Sequence, residues 1–403
     1  MEYDLLAYDI YAGFGVGKFS HHVVAIKTND QRIILSEKIA QEEEVIRGVL
    51  KKLKEFGRVL AVVDQKGSIG RLLVATIKDM GIDAGFLTPS DFHSFAKGYT
   101  EIKSDAKDAY IIADIAMRFT NRISPIADFE EKAEALRTLT SFREMLVRDN
   151  TQAKNRIRNL LVQIHPVFEA CIKKEHLEKP AYLHIFKQYG GPYGIRRAGK
   201  KRLKAFISKL PYYGKKADSI VEHIFCALSQ QTVHLPGAGA REEAIKSLAA
   251  ALILREREIK EVEEKIKTSY KNFPESIILN SIPGIGNVFG AVILAEVGDI
   301  SQYKDAGHLA AYGGVAPSKR QSGTTLNRGR KKVKCNRQLR NAFCESAWIS
   351  VRCDDWSAWF YEKKRTEGKK HRQAILALAR HRTDIIYAML KTGSLYEPKT
   401  MTR

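Results

Sequence analysis

Hydrophobic and polar positions switch between strand-like and helix-like spacing along residues 1 to about 125. Apolar runs or alternation predict strands in IYAGFGV, HHVVAI, QRIILSEKI, RVLAVVD and DAGFLTP, the last of them as an edge strand. Helical spacing predicts helices in EEEVIRGVLKKLKEF, in SIGRLLVATIKDMG, which Gly81 closes, and in SDAKDAYIIADIAMRF. Three strands followed by alternating helices and strands indicate an α/β layer built on a mixed sheet.

Helical spacing dominates the rest of the chain. One long helix is predicted over about 128–165, with Pro166 beyond its end, and a second over about 240–270. Between them, around 180–240, lies a basic and less periodic stretch. Two long helices separated by a basic insert indicate either an antiparallel coiled-coil arm of the kind that mediates oligomerisation or helices packed on their own domain. We therefore expect three parts: 1–127, 128–275 and 276–403.

The third part opens on a glycine turn between two apolar helical segments. The turn is formed by Pro283, Gly284, Ile285 and Gly286. In a helix-hairpin-helix element the backbone NH groups of such a turn hold a DNA phosphate at a helix N-terminus. The alternative interpretation is a plain helical turn.

The overall charge points to a polyanionic partner. Hydrophobic and charged contents of 44% and 28% are ordinary, but the formal net charge is +21 and the isoelectric point is near 9.6. Nucleic acid, an anionic membrane surface and the ribosome would each explain this excess. The chain has no run of about 18 apolar residues and begins with acids in MEYDLLAYD, which predicts a cytoplasmic protein without membrane insertion.

Three carboxylates of the first part lie where a nuclease would need them. A two-metal nuclease gathers several carboxylates around divalent ions. Asp64 closes the apolar run VLAVV, and Asp105 and Asp108 share one face at the start of a helix. A ribonuclease-H-like fold would also want a carboxylate at the end of the first strand, where residue 15 is glycine. Each acid has a simpler explanation as well, as a turn former or as a partner of the helix dipole.

The last part carries an intensely basic stretch around one serine. From Ser318 to Arg340 there are nine Lys or Arg residues and no acid, and Ser322 precedes Gly323 within it. Neighbouring cations would stabilise the transition state if a serine attacked phosphorus. Capping of a turn by the serine, and a solvated or disordered basic arm, are the alternatives to phosphate contact.

Seven segments, in this order, carry a resemblance to a known family: AGFGVGKFSHHVV, VVDQKGS, IKSDAKDAYIIAD, IPGIGNVFGAVILAEVGDI, LAAYGGVAP, RQSG and CNRQLRNA. They resemble the DEDD transposases of bacterial insertion sequences, the bridge-RNA-guided recombinases related to the pilin-gene invertases. The resemblance covers about 1–160 and 276–395. It implies a RuvC-like α/β domain, a helical coiled-coil region and a mostly helical C-terminal transposase domain.

The resemblance also implies functional residues. In this family an acidic tetrad binds Mg²⁺ and a serine forms a transient covalent link to DNA. The second acid falls on Asp64, where many relatives have Glu, the third and fourth on Asp105 and Asp108, and the nucleophile on Ser322. Contact with nucleic acid is expected from a set of cations around that serine: Lys319, Arg320, Arg328, Arg330, Lys331, Lys332, Lys334 and Arg337.

The first acid is the exception, because Gly15 occupies its position. Asp9 is a poor substitute, since six residues of strand span about 20 Å. A naturally decayed element is a second interpretation, and an inactivated version of an otherwise normal enzyme is the third and favoured one. Loss of one ligand should stop cleavage and leave nucleic-acid binding nearly unchanged.

The leading hypothesis is an RNA-guided DNA recombinase of an insertion element. Its implied partners are a guide (bridge) RNA, target and donor DNA, and further copies of the chain in a dimer or tetramer, at the bacterial nucleoid. The alternatives are a structure-selective junction nuclease, which needs no serine, and a cleavage-inactive protein that binds RNA or DNA.

Overall fold

The computed structural model describes residues 8–96, 98–99, 104–126, 130–172, 174–316 and 335–398. The chain divides into two compact units, Met1–Glu130 and Glu131–Arg403. The three-part division expected from the sequence stays a prediction.

The first unit is built on a six-stranded mixed sheet with the order β3-β2-β1-β4-β5-β6. β1 pairs antiparallel with β2 and parallel with β4, β2 pairs antiparallel with β3, β4 parallel with β5, and β5 antiparallel with β6. This arrangement is consistent with the predicted RuvC-like fold. The strands are β1 Ile10–Gly15, β2 Ser20–Lys27, β3 Ile33–Ala40, β4 Val59–Val63, β5 Asp83–Phe86 and β6 Ser124–Pro125.

Helices cover both faces of this sheet, as the apolar runs of its central strands require. The first core contains apolar side chains of α1 and α2 with alternate residues of β1 and β4. The second contains side chains of α4 with the intervening residues of those strands. The helices are α1 Glu43–Lys54, α2 Arg71–Asp79, α3 Pro89–Ala96 and α4 Asp105–Arg118.

One strand prediction is wrong in detail. The stretch DAGFLTP was expected at an edge of the sheet, but the short β6 pairs with β5, through Gly85 with Pro125 and Phe86 with Ser124. A two-residue strand that contains proline has no alternation to detect. The other predicted strands and helices of this unit are confirmed.

The second unit is helical in its described residues. Both predicted long helices are confirmed as α5 and α10. The α-helices are α5 Glu130–Val162, α6 Pro166–Cys171, α7 Pro180–Tyr189, α8 Pro192–Ser208, α9 Ala217–Ser229, α10 Ala238–Lys271, α11 Glu275–Ser281, α12 Asn287–Val297, α13 Ala306–Tyr312, α14 Arg337–Ser350, α15 Asp355–Thr366 and α16 His371–Thr392.

The two long helices contribute to two separate cores. The early part of α5 and the late part of α10, through Leu136 and Ile266, pack with α11 to α16. The late part of α5 and the early part of α10, through Ile157 and Ile245, pack with α6 to α9. The two helices are therefore antiparallel, and Arg143 pairs with Glu263 across them at 2.7 Å.

The basic insert, residues 180–240, is more regular than its sequence suggested. It forms α7, α8 and α9, and α8 contains a break at Gly199, whose φ is +76°. Glu242 of α10 fixes the start of α8. This buried carboxylate accepts hydrogen bonds from the backbone NH of Tyr193 at 2.7 Å and of Gly194 at 3.1 Å. The glycine and proline residues that obscured the helical period lie at the ends and at the break of these helices.

Candidate active site

The parallel pairing of β1 and β4 brings Gly15 beside Asp64. Phe14 pairs with Val63 in this register, so the next residues along both strands are neighbours at one end of the sheet. The backbone NH of Val16 donates a hydrogen bond to Oδ1 of Asp64 at 3.1 Å. Two positions 49 residues apart in sequence thus form one corner.

Strand alternation decides which face these two positions share. Phe14 and Val63 belong to the core on the α1 and α2 side. Because successive residues point to opposite faces, residue 15 and Asp64 face the side that α4 covers. Gly15 lies against this helix, next to Asp105 and Ala109.

The helix α4 brings its first turn to the same corner. Its N-cap is Ser104, whose side chain accepts a hydrogen bond from the backbone NH of Lys107, and Asp105 and Asp108 lie in that turn. The predicted helix start is confirmed. The helix dipole favours acids at this place, so their position alone does not separate a structural role from a ligand role.

The electrostatics of the corner connect Asp64 with Asp108. Burial raises the pKa of the Asp64 carboxyl, hydrogen bonds from the backbone oppose this rise, and the negative charge of Asp108 adds to it. The Asp108 carboxylate therefore lies close enough to Asp64 to disfavour the ionisation of Asp64. Like charges held this way are stabilised by a bound cation.

A comparison of two glycines in β1 shows what residue 15 can accept. At Gly13 a Cβ atom would overlap the carbonyl oxygen of Ala109 and the backbone nitrogen of Ala113, because β1 and α4 approach too closely there. At Gly15 the nearest atom to a Cβ is the carbonyl oxygen of Asp105 at 3.3 Å. A side chain fits at position 15 after a shift of a few tenths of an ångström, and none fits at position 13.

Two further polar residues of the sheet bear on the missing acid. Asp9 lies before β1 at the opposite end of the strand, where its Oδ2 accepts a hydrogen bond from the backbone NH of Arg58 at 2.8 Å. It therefore cannot replace a ligand at position 15. His22 pairs with Gly15 in the register of β1 and β2, so its half-buried side chain shares the face that α4 covers. His22 was not among the predicted site residues, although the sequence has two adjacent histidines, His21 and His22, in β2.

The donor set of this corner is incomplete as it stands. Within the described ranges, no three His, Cys, Asp or Glu side chains are grouped closely enough to hold a metal ion. Asp64 and Asp108 interact, but Gly15 contributes no oxygen. The residues present therefore do not fit a full metal centre.

The predicted nucleophile, Ser322, lies outside the described residues. So do seven of the eight predicted nucleic-acid-binding cations: Lys319, Arg320, Arg328, Arg330, Lys331, Lys332 and Lys334. Arg337 is described, and it is exposed at the start of α14.

Tyr312 and Asn336, which lie before and after the stretch around Ser322, are hydrogen-bonded to each other. The backbone NH of Asn336 donates to the carbonyl oxygen of Tyr312 at 2.9 Å, and its side-chain amide donates to the Tyr312 hydroxyl at 3.1 Å. The same amide also donates to Glu296 of α12. The chain therefore leaves and re-enters the helical core at one place.

The glycine turn between α11 and α12 is confirmed. Gly284 has a φ of +81° and lies against the backbone of Ser346 and Ser350, where a Cβ atom would overlap. The buried Arg382 of α16 donates a hydrogen bond to the carbonyl oxygen of Pro283. Burial lowers the pKa of Arg382 to about 10. Contact of this turn with a DNA phosphate stays a prediction.

Comparison with known proteins agrees with this architecture. A family model of DEDD transposases of the IS110 type, described as transposase, matches residues 12–166, and a model of the transposase IS116/IS110/IS902 family matches residues 276–362. The first match contains the acidic corner, and the second contains the glycine turn and the two ends of the serine stretch.

Full-length relatives show the same family. The chain is 34% identical to an uncharacterized 43.6 kDa protein of insertion element IS110 from Streptomyces coelicolor, over 97% of this chain and 96% of that protein. It is 32% identical to an uncharacterized 42 kDa protein of insertion element IS900 from Mycobacterium paratuberculosis, over 98% and 99%. A pilin gene-inverting protein from Moraxella bovis is 30% identical over 30% of this chain and 38% of its own length.

The fold and these matches define a DNA transposase of the DEDD class, an enzyme type that generally uses a divalent metal ion. Within this class, the chain belongs to the IS110 family of insertion-sequence transposases. Among the described helices, none combines the length and the apolar character needed to cross a membrane.

Proposed function

We propose that this chain is the recombinase of an RNA-guided insertion element, and that Gly15 impairs its cleavage step. The observation that carries the proposal is the corner where residue 15, Asp64 and the first turn of α4 converge. Asp64 and Asp108 already interact there, and residue 15 faces them with room for a side chain. An acid at position 15 would add a third carboxylate beside Asp64 and Asp108, and Asp105 lies in the same turn of α4 as Asp108.

The proposed roles follow the family pattern at these positions. Asp64, Asp105 and Asp108 would hold Mg²⁺ together with an acid at position 15, and the bound ion would stabilise the negative charge that develops on the scissile phosphate. The Ser322 hydroxyl would attack that phosphate and displace the 3′ or 5′ oxygen of the DNA strand, which leaves a serine–DNA phosphodiester. Cations of residues 319–337 would hold the strand.

Partners and assembly belong to the same proposal. The net charge of +21 supports binding of both a guide RNA and target and donor DNA. The antiparallel pair of α5 and α10 would serve as a coiled-coil arm between copies in a dimer or tetramer, so that the acidic corner of one copy meets the serine of another. We expect the protein to act at the bacterial nucleoid.

A DNA strand-cleavage assay with the Gly15→Asp variant tests the proposal. The protein is co-expressed with its element and flanking DNA, which supplies the RNA, and is then incubated with a supercoiled plasmid that carries the element ends. We expect Mg²⁺-dependent cleavage and a covalent protein–DNA adduct, at least a hundredfold above the Gly15 chain. Gly15→Asn is the matched control, because it fills the same volume without a charge.

Further variants separate the alternatives. On the Gly15→Asp background, Ser322→Ala should abolish the adduct. If cutting continues without an adduct, the chain is a junction nuclease. Absence of cleavage by Gly15→Asp with any divalent metal would refute the assignment of position 15 and favour a protein that only binds nucleic acid.

A further inference from the structure

The basic insert carries a second concentration of cations, separate from the stretch around Ser322. Residues 187–217 contain ten Lys or Arg residues and no Asp or Glu. Some of this charge is neutralised across to α9, where Lys200 pairs with Glu222 at 2.9 Å and Lys204 with Asp218 at 2.6 Å. Part of the basic charge therefore has a structural purpose.

Several other cations of this segment lack an acidic partner. Among the described side chains, no carboxylate lies within ion-pair distance of five exposed cations of this segment: Lys201, Arg202, Lys209, Lys215 and Lys216. Like charges this close in sequence repel one another, which is a cost that a bound polyanion removes. A nucleic-acid backbone has the complementary charge, because each of its nucleotides carries a phosphate.

An aromatic side chain stands in the middle of the exposed cations. Tyr212, in the loop between α8 and α9, is 97% exposed, and its backbone has a left-handed φ of +69°. A tyrosine in this conformation is strained, and its ring gains nothing from burial. Such a ring is available as a platform on which an unpaired base can stack.

An open cavity lies between α8 and α9, towards the end of this antiparallel pair that is remote from Tyr212. It has a volume of about 470 Å³ and is lined by Arg196, Phe225, Leu228, Ser229 and Thr232. The guanidinium of Arg196 is fixed by a hydrogen bond to the carbonyl oxygen of Gln231 at 2.8 Å, and the ammonium of Lys200 lies 5.7 Å from the centre of the Phe225 ring. The cavity thus combines a flat apolar wall with fixed positive charge and exposed hydroxyls.

We propose that the basic insert binds an unpaired strand of nucleic acid, with Tyr212 stacking on one base and the cavity beside Phe225 receiving another. A duplex has its bases stacked and paired, so it offers neither the ring nor the cavity a base face. The five exposed cations by themselves would bind a duplex as well as a single strand. The aromatic groups are what make an unpaired strand the fitting partner.

Two variants of the full-length chain test this inference by fluorescence anisotropy without Mg²⁺. The probes are a labelled oligouridine, a labelled oligothymidine and a DNA duplex of equal length. Tyr212→Ala should weaken binding of the single strands about tenfold, as expected from loss of one stacked base, and leave the duplex unchanged. Tyr212→Phe should bind like the parent chain, because the ring is kept.

The triple variant Lys201→Ala/Arg202→Ala/Lys209→Ala tests the phosphate contacts. It should lower the slope of log K against log salt concentration by about 2, since each phosphate contact to a single strand contributes about 0.7. Lys51→Ala/Lys52→Ala, two exposed lysines of α1, is the control and should change the affinity little. Circular dichroism confirms that each variant is folded.

Crosslinking locates the contact directly. A 4-thiouridine oligonucleotide should crosslink to peptides that contain residues 209–216. Crosslinks only elsewhere, an unchanged affinity for Tyr212→Ala, or an equal loss for duplex and single strand would each overturn the inference. These measurements do not involve cleavage, so their failure is distinguishable from failure of the proposed recombinase activity.

Discussion

The acidic corner of the first unit and the basic insert of the second use charge in opposite ways. At the corner, few carboxylates are drawn together by a strand end and a helix start, and Asp64 is half buried there. In the insert, the cations are numerous and exposed, while the acid Glu242 is buried and serves to fix α8. The corner has concentrated charge and the insert has distributed charge.

The difference teaches what each surface is suited to bind. A compact divalent ion needs several oxygens at one point, and the free protein bears the repulsion between them. An extended strand needs many weak contacts, which stay hydrated until it arrives. We therefore expect the corner to be sensitive to single residues such as Gly15, and the insert to tolerate the loss of any one cation.

The largest change in the free energy of unfolding is expected from one carbon atom added to β1. Gly13→Ala places a Cβ atom against the backbone of Ala109 and Ala113, and separation of β1 from α4 should cost about 3 kcal/mol. Urea unfolding followed by circular dichroism measures it. Gly15→Ala is the matched control and should cost less than about 1 kcal/mol; equal losses would show that the two positions are packed alike.

The second-largest change in the free energy of unfolding is expected at Glu242, the buried acid that accepts hydrogen bonds from the start of α8. Glu242→Gln places an amide NH₂ group near the backbone NH groups of α8, so we expect a loss of about 1–3 kcal/mol in urea unfolding. The neighbouring Glu243→Gln affects only an exposed pair with Lys246 and should change stability by less than about 0.5 kcal/mol. A similar result for both variants would mean that burial of Glu242 has no energetic role.

Removal of charge from the corner should stabilise the fold. Asp64→Asn keeps an oxygen for the hydrogen bond from Val16 and removes a carboxylate whose pKa is raised by burial and by Asp108. The ionised form is the disfavoured one in the folded chain, so the parent loses stability as the pH rises through the raised pKa. We expect the Tm of the variant to exceed that of the parent by a few degrees at pH 7.

Acid should remove this advantage. Below the ordinary pKa of an aspartate, Asp64 is protonated in both the folded and the unfolded parent, so the two Tm values should converge there. Thermal unfolding across this pH range measures the difference. A gap that stays constant with pH would show that the charge of Asp64 is not its source.

The smallest change in the free energy of unfolding is expected in the basic insert, where the charges are spread over many exposed side chains. Lys200→Gln breaks an exposed ion pair with Glu222, in which the two side chains are 54% and 68% exposed, and water solvates both partners well. The free energy of unfolding, measured with urea, should change by less than about 0.5 kcal/mol. A loss above about 1 kcal/mol would mean that the insert depends on single charges as the corner does.

Much of the fold was predictable from sequence because its periods are long and regular. The helix start at Asp105, the strand VLAVV and the long helices α5 and α10 each follow from local apolar spacing. The insert was harder, since Gly199 and the glycine and proline residues before α8 interrupt the period. The short β6 had no period at all, so β5 was misplaced at an edge.

The sequence by itself determined which residues carry charge, where the helices and most strands form, and which family motifs are present, because these depend on neighbours along the chain. Only the tertiary structure decided that residue 15, Asp64 and the start of α4 share one corner and that His22 stands beside Gly15. The physical reason is that strand register and the face of a sheet are set by packing between distant segments, and a shift of one residue would reverse every side chain.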